Sequence, residues 1–314
     1  MGHFLHAVNV FFHHLTAVQW QFLALALACH VAKLFLRAAA WCTIVRAAYP
    51  GQRLRYRTAL GAYLAGVGVN SIVPARGGDI VKMYLVKHRL PGSTYVTLAP
   101  TLLVETLFDF VTAGALIIWA LAIGVLPTHQ LYSRIPTVDW KFFLRHERPT
   151  EIALAVLLVA AVIGFIWARR RYDEFRTRVR QGFAILGQRR RLVFGVLLPQ
   201  AISWGFRILS LYFFLKAFRV TANLHNALLA QVVDSLATLF PATPGGAGTK
   251  QGLTEFLFRG QGVSHTLLLA FSVGMNITLV VVNVLLGLIA IGLMARTLSF
   301  KRLRSNARAE EQPA

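Results

Sequence analysis

Residues 70–89 read NSIVPARGGDIVKMYLVKHR, and their interpretation decides the fold. The apolar run Thr58–Val73 leads into them and stops at Pro74, well short of the about 20 apolar residues that a bilayer crossing needs. Gly77 and Gly78 then permit a reversal with close backbone approach, and Asp79 opens a more polar helical stretch that closes at Lys87, His88 and Arg89. A short apolar helix ended by Pro and Gly predicts a re-entrant hairpin, one that enters a membrane and leaves by the same face. A second such run, Ala227–Phe240, stops at Pro241 within FPATPGGAGTKQGLTEF (residues 240–256), whose glycine pair is Gly245 and Gly246.

Outward from the hairpins, five stretches are long enough to cross: Val18–Ile44, Ser93–Leu126, Glu151–Ala168, Leu192–Phe218 and Ser264–Ala295. The second and fifth require tilt, a kink or an interfacial end, with Pro100 marking the irregularity in the second. Of the 314 residues, 56% are hydrophobic and 14% charged, and mean hydropathy is +0.57, which excludes an ordinary soluble domain and a disordered chain. The formal charge is +21, from 33 Lys and Arg against 12 Asp and Glu. In a soluble protein that excess would suggest nucleic acid; here the bases lie between apolar segments and set orientation, so no nucleic-acid partner is expected. Four arginines occupy Arg46–Arg57 and nine occupy Arg169–Arg191, while others close the first hairpin and fill the tail from Arg296 to Arg308. Assigning all of these to the cytoplasm leaves six basic residues outside, with an external N-terminus, a cytoplasmic C-terminus and hairpins entering from opposite faces. The Arg169–Arg191 loop could alternatively bind anionic lipid or nucleic acid.

The chain divides into an amphipathic segment (residues 1–16), a membrane domain (17–296) and a basic cytoplasmic tail (297–314). The N-terminus lacks the basic start and cleavage site of a secretory signal, so the protein is expected whole in the plasma membrane, the inner one in a bacterium. Its histidines form no closed metal set, and Cys29 and Cys42 have neither zinc spacing nor a disulfide framework, so no metal or cofactor is expected. The fold class is thus an all-α polytopic membrane bundle with two re-entrant hairpins. Both hairpins run to a Gly and Ser where a long crossing starts, and twelve residues after Ser93 and Ser264 stand Glu105 and Asn276. That is the pattern of an inverted repeat, typical of carriers with a midplane site; two unrelated Pro-Gly breaks are the alternative.

A charge in hydrocarbon costs a few kcal/mol and needs a partner, a wet cavity or a function. Arg76, Asp79, Lys82, Glu105, Asp109, Arg207, Asp234, Lys250 and Glu255 are so placed, with Asn70 and Gln251 as neutral members. The helix starting at Gly77 and Gly78 aims its unpaired N–H groups into the membrane beside Arg76 and Lys82, which suits a phosphate headgroup unless Asp79 closes a self-contained ion network. The second hairpin offers a similar end at Gly245, Gly246, Thr249, Lys250 and Gln251, without the spacing of a nucleotide-binding P-loop. Glu105 and Asp109 share a helical face: either they resist joint ionisation and couple to protons, or they are salt-bridged to Arg76, Lys82 or Arg207. Asp234 and Glu255 join them as coupling or gating residues. Trp20, Trp41, Trp140 and Tyr132 fall near segment ends, as interfacial belt residues do.

At these stretches the sequence resembles a known family. NSIVPARGGDIVKMYLVKHR, followed by LLVETLFD (residues 102–109), is similar to the P-x-R-x-G-[DE]-x-x-[RK] signature with its preceding Asn, and to the E-R-x-x-D signature, of the lysylphosphatidylglycerol synthase transmembrane region, also called the flippase-like domain family. FPATPGGAGTKQG resembles that family's P-x-x-P-G-G-x-G signature. The matching positions are Asn70, Pro74, Arg76, Gly78, Asp79, Lys82, Glu105, Asp109, Pro241, Pro244, Gly245, Gly246 and Gly248, and the resemblance runs from Val18 to Ala295. It implies re-entrant helices around a lipid-accessible cavity and the movement of polar lipids between leaflets. Thr106 stands where the family usually has Arg, and Gln251 where many members have Glu, a role Glu255 could take. The soluble aminoacyl-transferase domain of the synthases is not expected, and neither is lipid lysinylation.

The expected function is therefore binding and translocation of an anionic or polyprenyl-phosphate-type lipid, with membrane lipid as partner and no enzymatic activity. A membrane enzyme acting on lipid headgroups is the alternative, though no nucleophile elbow, lipid-phosphatase His motif or metal set supports it. An accessory subunit with partner proteins in a lipid or envelope pathway is a third.

Overall fold

The computed structural model describes residues 18–73, 76–124, 172–239, 249–258 and 263–310, and among them every regular element is a helix. The segment 1–16, the crossing expected at Glu151–Ala168, Pro74, and the turn containing Pro241, Pro244, Gly245, Gly246 and Gly248 lie outside the described residues. A long helix, α1 (Trp20–Ala48), is followed by two short ones, α2 (Tyr56–Ile72) and α3 (Gly77–Lys87), and by a second long one, α4 (Tyr95–Ala122). After the polar helix α5 (Tyr172–Gly182) the same order recurs: long α6 (Arg189–Ala217), short α7 (Leu224–Leu239), short α8 (Thr249–Leu257) and long α9 (His265–Glu310). The four long helices are apolar enough to cross a membrane, α9 through its part His265–Ala295. Helix α9 continues into the tail that the sequence sets apart, because residues 296–310 contain neither Gly nor Pro and several good helix formers.

Local chemistry sets the helix ends. Val73 precedes a proline and is extended, so α2 stops there. Arg76 turns the chain in the left-handed region, at φ 60°, and α3 begins at the next residue. Thr94 caps α4 by accepting from the Thr97 N–H at 3.3 Å. Pro100 falls in the second turn of α4 without ending the helix. A π-helical turn, Val193–Leu197, interrupts α6 where Gly195 lies against Thr43 of α1.

Long-range contacts fix the directions of the helices. Gln19 donates to the Ala217 carbonyl, Ser210 to that of Ala26, and Gly195 meets Thr43, so α1 and α6 run antiparallel. Gly61 lies against Met294, Gly68 against Gly287 and Ser71 against Asn283, so α2 and α9 are antiparallel too. Small residues at the second crossing let the backbones touch. Gln52 bonds the Pro91 carbonyl, Thr94 N–H the Tyr49 hydroxyl, Gln181 the Ala48 carbonyl and Arg89 the Met294 carbonyl. The Arg46–Arg57 stretch, the end of α3, the described part of the Arg169–Arg191 stretch and the part of α9 just before the tail therefore meet at one rim of the bundle. Helix α7 starts at the other rim, where His225 packs on Trp119.

Two large apolar clusters and a smaller third fill the interior. One large cluster holds Phe214, Leu229, Phe258 and Phe271; the other, nearer the basic rim, holds Trp41, Val45, Val86 and Leu98; the third holds Ile44, Val104, Ile185 and Val196. Outward faces are apolar as well: Leu103, Leu107, Phe110 and Ile118 of α4 and Ile277, Val281 and Leu285 of α9 are exposed, as lipid-facing residues must be.

The α2–α3 hairpin is closed by backbone contact. A Cβ placed on Gly78 would overlap the Gly66 carbonyl oxygen, whereas one on Gly114 of α4 meets nothing within 4 Å. Gly78→Ala should therefore cost about 1–3 kcal/mol of stability through overpacking. Gly114→Ala should be neutral or stabilising by up to about 1 kcal/mol. Thermal unfolding in detergent, followed by size-exclusion fluorescence, compares the two.

Candidate functional site

Between the two large apolar clusters, α1 carries His30, Lys33 and Arg37 on one face, at helical spacing. Arg37 is the centre of the site. Its Nη1 and Nη2 donate to the two carboxylate oxygens of Asp109 at 2.8 and 2.5 Å, and Nη2 also reaches Glu105 at 3.2 Å. Its Nε donates to the Tyr63 hydroxyl at 2.7 Å, which in turn donates to Glu105 at 2.8 Å. The second Glu105 oxygen accepts from Lys82 Nζ at 2.6 Å. That ammonium lies over the Trp41 and Tyr63 rings, 4.3 and 4.1 Å from their centroids, so the cation is held by a carboxylate and two π faces together. Glu105 is 3% exposed and Lys82 4%, which makes their pairing obligatory.

The ionic chain continues toward the second half. Trp204 of α6 donates its indole N–H to Asp109 at 2.9 Å, and the Arg207 guanidinium lies 5.0 Å from the Trp204 ring centroid. Arg207 pairs with Asp234 of α7, and Lys250 of α8 reaches the other oxygen of the same carboxylate at 2.6 Å. At the first hairpin, Asn70 accepts from the Gly78 N–H at 2.7 Å, and Arg76 pairs with Asp79 at 3.0 Å. Asn283 of α9 donates to Ser71 at 3.1 Å and bonds His30 at 2.8 Å.

These groups surround a cavity of about 240 Å³. It is slightly smaller than the roughly 300–1,000 Å³ of small-molecule pockets, the size of a headgroup rather than a whole lipid. Five cations line it, Lys33, Arg37, Arg76, Lys82 and Arg207, against three carboxylates, Asp79, Glu105 and Asp109. Adding Asp234 and Lys250, which close on Arg207, leaves the excess unchanged. Lys33 reaches no carboxylate among the described residues; its partner is His30 Nδ1 at 3.2 Å.

The structure thus brings together Asn70, Arg76, Gly78, Asp79, Lys82, Glu105, Asp109 and Arg207 from the residues named in the sequence. Gly77 is the first residue of α3, between Arg76 and Gly78, and Asp234 and Lys250 extend the network. Thr249 and Gln251 stand beside Lys250 in the first turn of α8. Glu255 is away from the cavity and pairs with His265 at 3.1 Å. Of the two readings of Glu105 and Asp109, the described geometry is the salt-bridged one, but the shared partner is Arg37 rather than Arg76 or Arg207. The sequence reading also misses His30, Lys33, Tyr63, Trp204 and Asn283. A charge spacing of three and four on α1 was the available signal for the first helix. Trp41 departs from the belt reading: it is fully buried and donates to Thr101 at 3.2 Å.

A family model described as the lysylphosphatidylglycerol synthase TM region matches residues 6–287, and the chain belongs to that family. A UPF0104 membrane protein of Methanocaldococcus jannaschii is 20% identical over 206 residues, 63% of this chain and 82% of the relative. No solved structure matches.

Removing Glu105 would strand Lys82 and weaken the hold on Arg37. Glu105→Ala should lower stability by about 3–5 kcal/mol, the usual cost of breaking a buried ion pair from one side. Lys82→Met combined with Glu105→Leu should recover more than half of that loss, because no unpaired Lys82 charge then remains. Denaturant unfolding of the single and double variants in a mild detergent reads the difference.

Proposed function

We propose that the protein is a lipid carrier, which binds an anionic or polyprenyl-phosphate-type lipid by its phosphate in the α1–α4 cavity and moves it between leaflets. The observation that carries this reading is the excess of two basic side chains over carboxylates around a cavity within an apolar bundle. Uncompensated charge there is costly, and an anion entering the cavity removes the cost. Arg37, Lys33, Arg76, Lys82 and Arg207 supply the charge. The first turn of α3, at Gly77 and Gly78, adds the positive end of a helix, and Asn70 holds that turn in place.

In this reading α2–α3 and α7–α8 are re-entrant hairpins that form an inverted repeat. The recurring long–short–short–long order and the start of α2 and α7 at opposite rims support it. The basic rim, with the end of the last crossing, faces the cytoplasm of the plasma membrane. Glu105, Asp109 and Asp234 act as gates: Glu105 and Asp234 each hold two cations, so a phosphate can take over one of them without leaving the carboxylate unpaired, while Asp109 holds Arg37 and the neutral Trp204 N–H. Thr249, Lys250 and Gln251, with Gly245 and Gly246, form the corresponding part of the second half. Such partner exchange moves a ligand and breaks no bond in it, so the reading is of a carrier and not an enzyme.

Proteoliposomes with a fluorescent phosphatidylglycerol in the inner leaflet test the proposal. Wild-type protein should exchange the lipid between leaflets. Lys33→Met should slow exchange by about tenfold or more, the effect of one lost charge-assisted contact, while the fold is kept because no carboxylate loses its partner. Absence of exchange for every anionic lipid offered, or equal rates for wild type, Lys33→Met and Arg76→Ala, would refute it.

A further inference from the structure

The basic rim holds a second cavity that belongs to none of the ionic chain above. It has a volume of about 640 Å³ and lies among the end of α1, the α1–α2 loop and the start of α6. Arg46, Arg53, Arg55 and Arg191 line it, with Gln52 and Thr43, and no acidic residue does. Arg46 is nine residues from Arg37 along α1, about 14 Å at 1.5 Å per residue, so the two cavities are separate.

Its four guanidinium groups are unusual in what they lack. Among the described residues none of them meets a carboxylate. Arg46 lines the cavity and is anchored through Nε to the Leu54 carbonyl at 2.9 Å, a bond that leaves its Nη groups uncommitted to any carboxylate among the described residues. Arg191 donates to the neutral Gln188 side chain at 2.9 Å. Helices α2 and α6 both begin here, just after Arg55 and Gln188, with no side-chain cap and no acidic residue in the first turn. Like charges gathered in a concave site repel one another and raise the local potential for anions. The π-helical turn of α6 sits at the same place and sets Gly195 against Thr43 of the cavity wall, a type of irregularity often found at binding sites.

We infer that this rim cavity is a binding site for a phosphate ester, either the headgroup of an anionic lipid in the adjacent leaflet or a soluble phosphorylated molecule. The arginine fork matches phosphate oxygens in a bidentate manner, and several forks around one cavity favour a doubly charged monoester over a singly charged diester. A basic pocket between membrane helices at a rim is the expected form of an anionic headgroup site. The inference stands apart from the carrier reading: the rim site can bind its ligand whether or not the central cavity moves one.

Native mass spectrometry of the full chain, released from nanodiscs of neutral lipid containing phosphatidic acid, tests the lipid source. Thermal shift with glycerol 3-phosphate and with inorganic phosphate tests the soluble one. Arg53→Ala with Arg55→Ala removes two exposed loop charges, so folding should persist. Arg176→Ala with Arg180→Ala removes two charges from exposed positions on α5, outside the cavity. The rim pair should lower phosphatidic acid retention, or raise the half-saturating concentration of the soluble ester, by about tenfold or more, and the α5 pair by less than about twofold. Retained lipid without a soluble effect assigns the site to a headgroup; a soluble effect without retained lipid assigns it to a free ester. Equal losses in the two pairs would show general attraction of a basic surface and overturn the inference, as would no binding of any probe to wild-type protein.

Discussion

Everything in this bundle is arranged around the cost of ionised side chains in a medium that does not solvate them. Arg37 holds two carboxylates of α4 at once, and the same α4 carboxylate that it touches, Glu105, also holds Lys82 of the first hairpin. None of these groups could stay buried alone. The position of α1 against α4, and of α3 against both, is therefore fixed by a set of short contacts that are mutually required. Apolar packing above and below the layer is less specific, since lipid is as good a solvent for Leu as a neighbouring helix.

The network also joins the two halves of the chain. Asp109 is bonded by Trp204, whose ring carries Arg207, and Arg207 shares Asp234 with Lys250. An unbroken run of polar contacts thus leads from α3 to α8 through four intervening helices. It gives α7 and α8 a physical connection to α2 and α3, although α2 and α7 start from opposite rims.

The break between α2 and α3 was the most legible part of the sequence, because Pro74 and Gly78 act through the backbone alone. The residue before a proline is pushed out of the helical region, as Val73 is, and a close helical approach needs a residue without Cβ. The long helices were legible from apolar length, and the convergence of basic stretches from their alternation with those lengths. The site was half legible. Lys82, Glu105 and Asp109 stand out as charges in apolar surroundings, but their partner Arg37 is set by which helices neighbour each other, information that no local pattern carries. Trp41 illustrates the same limit: its distance from the segment end suggests an interface, and only the packing of α1 on α4 reveals that its indole N–H is satisfied by Thr101. Glu255, one turn after Gln251, was read as a substitute for the acid that many members carry at the Gln251 position, and its partner in the structure is His265.

The crossing of α2 and α9 at Gly68 and Gly287 limits how the molecule can rearrange. No side chain separates the two backbones there. Rotamer changes, which ordinarily let packed helices slide past each other, have nothing to act on at that point. The first hairpin and the last crossing would consequently travel as one rigid unit, and a shift of either would carry Ser71, Asn283 and His30 with it or break the bonds that tie them.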